Sequence, residues 1–360
     1  MKIGIIGLPN SGKTTVFNAL TRATIETAAY SSGQIEPNMA MVKVPDERLD
    51  ALATMYKPKK FTPADVQYID VAGMNSGANS SGGLSPQFLN YISQVDALLH
   101  VVRAFVDDNV PSENAVDPAR DLANVDLELM FSDMAIIERR VGRLKAEIGK
   151  MQPKDREIRQ LELHALERLY AGLEAELPIR AQAPLNEDEA RALRGFQFLS
   201  AKPMLVVVNI GEDQLQNPPT LSYNSPNTAV VMLSGKVEAE LAQMDDDDAK
   251  IFMDDLGISE PARERVIKAS YAMLGLMSFL TAGEDEVRAW TIRAGTPAVE
   301  AAGAIHSDIQ RGFIRAEIVA FTDLMTAGDM AAAKKLGTVR LEGKTYIVKD
   351  GDIAHFLFNV

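Results

Sequence analysis

The chain has 360 residues, 46% hydrophobic and 24% charged, with a formal net charge of −13 and no cysteine. That length allows two or three domains with sizeable cores, and the missing cysteine excludes disulfides and thiolate metal sites. The acidic balance argues against broad non-specific nucleic-acid binding, because phosphates are repelled on average.

Residues 1–20 read MKIGIIGLPNSGKTTVFNAL. Ile3, Ile5 and Ile6 form a short apolar run of the kind a buried parallel strand carries. Val16, Phe17, Ala19 and Leu20 then fall at helical spacing. Between them, residues 7–14 fit G-x-x-x-x-G-K-[ST], so the order is strand, glycine loop, helix. The loop backbone, including Asn10, Ser11, Gly12 and Thr15, is expected to cradle phosphates at the positive end of the helix. Lys13 is expected to reach the β- and γ-phosphates, and the Thr14 hydroxyl to ligate Mg²⁺. No uncharged apolar run approaches the roughly 20 residues that span a bilayer. A strand starting directly after Met1 leaves no room for a signal peptide, and a cytoplasmic location is expected.

Residues 28–38 are polar and contain glycine, a loop where nucleotide switches sense the γ-phosphate. Strands are predicted around Val42 and Val44 and around Val66, Tyr68 and Ile69, with a short helix near 46–55. The second strand runs into Asp70-Val71-Ala72-Gly73, a D-x-x-G element. Asp70 would hold Mg²⁺ through water, and the Gly73 N–H would meet the γ-phosphate. Met74 stands where Ras-type switches carry the water-orienting glutamine, and methionine cannot orient water. The Gly/Ser/Asn-rich stretch 75–85 reads as a loop. A buried strand over 97–102 follows, and His100 within it reads as a core histidine bonded to backbone.

From Val125 the rhythm changes. Ile137, Val141, Leu144, Ile148 and Met151 form a heptad seam, and Ile158, Leu161, Ala165, Leu169, Leu173 and Leu177 resume helical spacing after Pro153. This predicts an inserted, coiled-coil-like αα-hairpin. Its turn end carries Arg139, Arg140, Arg143, Lys145, Lys150, Lys154, Arg156 and Arg159 against Glu147, Asp155 and Glu157, a local excess of +5. A solvated helical face and a nucleic-acid contact both fit that excess.

The buried strand over 205–208 ends in Asn209-Ile210-Gly211-Glu212. Guanine-specific switches read Asn-Lys-x-Asp at this place. The exchange of Lys for Ile210 and of Asp for the longer Glu212 breaks the guanine-reading geometry and makes adenine at least as suitable. The strand over 230–233 leads to Ser234-Gly235-Lys236, the expected second base-contacting loop. Acidic residues 245–248 begin a helix and read as solvated. A further helix is predicted over 260–276. From Met277 onward short strands alternate with turns, including 289–292, 314–320, 344–348 and 355–359, with a helix near 297–304. That alternation suits a small mixed α+β domain.

The stretches GLPNSGKTTVFNALTRA, IEPN, DVAG, NIGE, EVRAWTI, IHSD with GFIRAEI, and LEGKTYIVKDGDIAHFLFNV together resemble the YchF-type Obg-like ATPases from end to end. The resemblance implies an α/β P-loop nucleotide-binding domain with a parallel-rich sheet over 1–276, interrupted by the αα-hairpin insertion at 128–198. It also implies a C-terminal ubiquitin-like α+β TGS domain over 277–360. Further implications are ATP preferred through the N-x-x-E element, Mg²⁺ as cofactor, and the ribosome or ribosomal RNA as partner. No membrane partner, no DNA sequence recognition and a monomeric state are expected. Two positions depart from the family pattern. Gln34 replaces the switch threonine, and 78–83 replaces the lysine- and glycine-rich loop after D-x-x-G. Both fall where the γ-phosphate is sensed, so slow hydrolysis is expected, with a partner or a potassium ion near Asn10 able to restore rate.

Three functions follow in order. The first is an ATP-driven switch acting on the ribosome or another RNA-containing partner. The second is a nucleotide-binding module with negligible hydrolysis that acts through a protein or RNA partner. The third, a small-molecule kinase, is weakened by the lack of an evident acceptor pocket.

Overall fold

The computed structural model describes residues 1–23, 37–71, 84–111, 114–223 and 225–359. Gln34, Gly73, Met74 and the loop 78–83 lie outside the described residues.

The chain opens with β1 (Lys2–Ile6), in which Ile3, Ile5 and Ile6 are fully buried. After the glycine loop comes α1 (Lys13–Thr21), which buries Val16, Phe17, Ala19 and Leu20. Then follow β2 (Asn38–Lys43), α2 (Glu47–Tyr56), β3 (Lys60–Thr62) and β4 (Asp65–Asp70). The Ser85 hydroxyl accepts from Phe88 N and so caps α3 (Pro86–Ser93). The next strand, β5 (Ala97–Arg103), is buried at every position.

Two long helices leave the sheet after β5. α4 (Pro118–Glu147) starts with Asp117 as its cap and proline in its first turn, several residues before the heptad seam begins. α5 (Pro153–Glu174) returns after a single 3₁₀ turn. Ile137 and Leu144 pack against Ala165, Leu166, Leu169 and Leu173, which makes the predicted antiparallel hairpin. The short α6 (Glu187–Ala192) is closed by a capping box between Asn186 and Glu189. Leu193 and Phe198 beyond it complete the hairpin core.

Part of the basic excess on the hairpin is used internally. Arg140 grips Glu162 with two bonds of 2.6 and 2.9 Å, and Arg159 adds a third at 2.6 Å. Burial alone would raise the Glu162 carboxyl, but these two arginines hold it below the usual carboxylate range. Lys145 pairs with Glu167, and Arg156 donates to the Met151 carbonyl at the turn. Arg139, Arg143, Lys150 and Lys154 are exposed.

The chain re-enters the sheet as β6 (Met204–Asn209), buried throughout, and then β7 (Thr228–Leu233). Beyond lie α7 (Gly235–Leu241), α8 (Asp246–Leu256) and α9 (Ala262–Met273). The first sheet has the order β2-β4-β1-β5-β6-β7, and β4, β1, β5, β6 and β7 run parallel to one another. Their carboxyl ends therefore share one edge, where open α/β sheets bind ligands.

By compactness the chain divides into a unit of residues 1–40 and 67–266 and a unit of 41–66 and 267–360. The second unit contains β8 (Leu276–Ala282), β9 (Glu286–Arg293), α10 (Ala298–Ile305), α11 (Ser307–Arg311) and β10 (Phe313–Ala320). Two short helices, α12 (Phe321–Ala327) and α13 (Met330–Lys335), precede β11 (Arg340–Glu342) and β12 (Asp352–Phe358). Its sheet, ordered β11-β10-β12-β8-β9-β3, is mixed, and α10 packs Ala298, Ala301 and Ala302 against Phe279, Ala316 and Phe356. The strand expected over 344–348 is not formed. That segment makes a turn, with Tyr346 N on the Gly343 carbonyl and a single bridge between Ile347 and Pro297. Val348 is buried there by packing, not by a ladder, which is why its apolar pattern reads as a strand. Residues 41–66 are joined to this unit by Arg48, which pairs with Asp46 and, at 2.8 Å, with Asp350. Asp350 in turn accepts from Ser278 N.

Candidate nucleotide-binding site

The glycine loop after β1 needs three left-handed backbones: Gly7 at φ 151, Asn10 at φ 60 and Gly12 at φ 88. A Cβ on Gly7 would run into the Val101 carbonyl of β5, and one on Gly12 would collide with Asn209 Nδ2. Both glycines are therefore required by close approach as well as by φ. Gly12 caps α1 without a side chain, and no acidic residue occupies the first turn, so the positive helix end is open to an anion.

Lys13 turns back over its own loop and donates to the Gly7 and Leu8 carbonyls at 2.9 Å each. Burial lowers its amine to about 8, against the opposing charge of Asp70. Thr14 donates from Oγ1 to Asp70 Oδ2 at 3.0 Å. The other carboxylate oxygen, Asp70 Oδ1, is buried with no hydrogen-bond partner among the described residues. Burial raises the Asp70 carboxyl, opposed by the Thr14 bond and the Lys13 charge. A hydroxyl and a carboxylate with one orphaned oxygen, beside an anion cradle, fit a hard divalent cation such as Mg²⁺ that fills its shell with phosphate oxygens and water. Among the described residues no cluster of three or more acidic or histidine side chains forms a separate metal cage.

Asn209, at the end of β6, joins two loops. Its Nδ2 donates to the Ser11 carbonyl at 3.0 Å, and its Oδ1 accepts from Gly235 N at 2.9 Å. Asn10 donates to the Pro111 carbonyl at 3.1 Å, which ties the glycine loop to the connection after β5.

Beside this cradle lies a cavity of about 1050 Å³. Gly12, Thr15, Asn209, Glu212 and Ser234, all anticipated from sequence, line it. The Ser234 hydroxyl is buried without a partner among the described residues. Lys13, Thr14 and Asp70 converge on the phosphate side instead, and Gly73 lies outside the described residues. Ile210 is buried in the cavity wall, and Glu212 is exposed at its mouth. Sequence reasoning missed Phe105 and Val106, which form another part of the wall. Their position just beyond the carboxyl end of a central parallel strand was the available signal.

His100 is a core residue, as expected, but without the expected backbone bond. It is 1% exposed, and neither ring nitrogen has a partner among the described residues. Burial, and then the Arg180 and Lys13 charges, lower its imidazole to about 3, so it stays neutral at physiological pH.

Comparison with known proteins matches the N-terminal and C-terminal parts of the chain to family models. Residues 2–138 match the family described as a 50S ribosome-binding GTPase, and residues 276–359 match the YchF GTPase C-terminal family, described as a protein of unknown function. The Ribosome-binding ATPase YchF of Bacillus subtilis is 43% identical over 366 residues, covering 99% of each chain. Obg-like ATPase 1 of Caenorhabditis elegans is 38% identical, covering 100% of this chain and 92% of its own. The solved Schizosaccharomyces pombe YchF GTPase superposes with a TM-score of 0.86 at 34% identity, covering 99% of this chain and 97% of its own. Similar to these proteins over nearly its whole length, the chain belongs to the YchF family of Obg-like P-loop proteins.

Proposed function

We propose that the protein is a ribosome-binding ATPase of low intrinsic turnover. The observation that carries this reading is the joining of the glycine loop to the N-x-x-E segment through Asn209, in a chain similar along its length to ribosome-binding ATPases. In this reading ATP sits with its triphosphate over the loop backbone and its purine in the adjacent cavity. Lys13 leaves the Gly7 and Leu8 carbonyls to bind the β- and γ-phosphates. Thr14 and Asp70 would hold Mg²⁺, which would supply positive charge to offset that of the triphosphate. Asn209 fixes the loops, while Glu212, Ser234 and the Gly235 segment face the base. Gly73 is assigned to the γ-phosphate from sequence alone. Residues 1–276, apart from the hairpin insertion at 128–198 and from 41–66, which belong to the second compact unit, form the nucleotide domain of this scheme, and 277–360 its TGS domain.

Positioning and charge stabilisation supply nearly all catalysis in phosphoryl transfer. Met74 cannot orient water, and Gln34 is a poor ligand in place of threonine, so free protein turns over at a small fraction of the roughly 1 s⁻¹ typical of slower working enzymes. Those two residues also support a second reading, a nucleotide-binding module with negligible hydrolysis. Single-turnover ATP hydrolysis by wild type, Lys13→Ala and Gln34→Thr tests the scheme. Slow wild-type turnover, abolished by Lys13→Ala and raised by Gln34→Thr, is expected. Wild-type turnover of several per second overturns the account of the switch, and no turnover under any condition favours the module.

A further inference from the structure

Arg103 ends β5 and is nearly buried, yet no carboxylate pairs with it among the described residues. Its guanidinium donates instead to three carbonyls of the following connection: Nε to Phe105, Nη1 to Pro111 and Nη2 to Val110, each at 3.2 Å. The same group lies 4.5 Å from the centroid of the Phe105 ring. One side chain therefore closes the segment 105–111 on itself and braces the aromatic ring that lines the purine cavity. The Pro111 carbonyl is shared, since Asn10 of the glycine loop also donates to it.

We propose that Arg103 is a positioning residue for nucleobase recognition, holding Phe105 as a fixed platform on which the purine stacks. The inference rests on placing the purine in this cavity. The buried cation directs three of its N–H donors to the carbonyls of one irregular segment. A planar fork with five N–H donors reaches three carbonyls and presents a flat face to the ring at once. Lysine, a point charge on a flexible stem, keeps the charge but cannot do both. A ring left free to move must be ordered when the base arrives, and that ordering subtracts from the stacking gain.

Titration calorimetry with MgATP and with magnesium tripolyphosphate separates base recognition from phosphate recognition. Arg103→Lys and Phe105→Ala are each expected to weaken ATP by about tenfold, the loss of one base–aromatic stack. Tripolyphosphate affinity should move by less than about twofold. The double variant should be no weaker than Phe105→Ala, because Arg103 acts through that ring. Equal loss on both ligands, or additive losses in the double variant, overturns the proposal and leaves Arg103 as general support for the glycine loop. If Arg103→Lys does not fold, Arg103→Gln, which keeps a carbonyl bond, is read in the same way. Wild type that binds ATP no tighter than tripolyphosphate overturns the placement of the purine itself, and the platform with it.

Discussion

Asn209 donates from Nδ2 to the Ser11 carbonyl at 3.0 Å, a bond between residues 198 positions apart. The same amide accepts from Gly235 N, so phosphate loop and base loop share one support. Removing it leaves a buried carbonyl and a buried N–H unpaired, at about 1–3 kcal/mol each. Asn209→Ala should therefore weaken ATP at least about tenfold. Gly12→Ala should do the same with Asn209 intact, because the added Cβ meets Nδ2 and φ 88 disfavours an L residue. Calorimetry on variants with unchanged circular dichroism checks both. ATP affinity within about twofold of wild type for either one would remove this bridge from the account.

Purine choice follows from the wall of the cavity. Ile210 is buried there, where guanine-specific proteins place a lysine stem, and Glu212 is longer than the aspartate that reads guanine. ATP should bind at least as tightly as GTP. Glu212→Asp alone should not create a strong GTP preference, since the lysine stem stays absent. Side-by-side calorimetry decides the matter, and a clear wild-type preference for GTP would sink it.

Legibility in the sequence tracked the range of the interactions. The glycine loop is specified by adjacent residues whose φ values and close contacts leave few alternatives, so residues 7–14 read correctly from the motif. The central strands are apolar at every position and the hairpin seam repeats, so both carried strong periodic signals. β3 was missed because three residues pair in parallel with β9 across more than 220 positions, and nothing local announces such a partner. Arg103 and Phe105 were visible only as the residues after a strand. Their roles depend on carbonyls of an irregular loop and on a cavity wall completed by β6 and α7. His100 was placed correctly in the core, but the expected bond assumed that a buried ring finds a partner. Neither of its ring nitrogens meets a partner among the described residues.

That unpartnered ring has a consequence for acid stability. The imidazole of His100 is at about 3 in the folded protein against 6.5 when exposed. Between those values the unfolded chain binds the extra proton, so stability is full above pH 6.5 and falls as pH drops toward 3. At pH 5 the loss is on the order of 2 kcal/mol. His100→Leu removes the titrating group, so its stability should decline less between pH 6.5 and 5. Urea unfolding at both pH values measures this. Parallel declines in wild type and variant would show that other groups govern acid unfolding.

The hairpin offers the clearest test of where the partner binds. Arg140 and Arg159 are committed to Glu162, and Arg156 donates to the carbonyls of the turn. Reversing any of these would damage the hairpin itself. Arg143, Lys150 and Lys154 are exposed and free of that duty, so the triple reversal to Glu changes charge with the core of Ile137, Leu144 and Leu169 untouched. If this surface meets ribosomal RNA, the triple variant should lose ribosome co-sedimentation while binding ATP as wild type does. Each phosphate contact contributes roughly one unit to the slope of log affinity against log salt, so single reversals should flatten that slope stepwise. Unchanged co-sedimentation and slope in the triple variant would return these side chains to a solvated helical face. The ribosome contact would then have to be sought elsewhere on the chain.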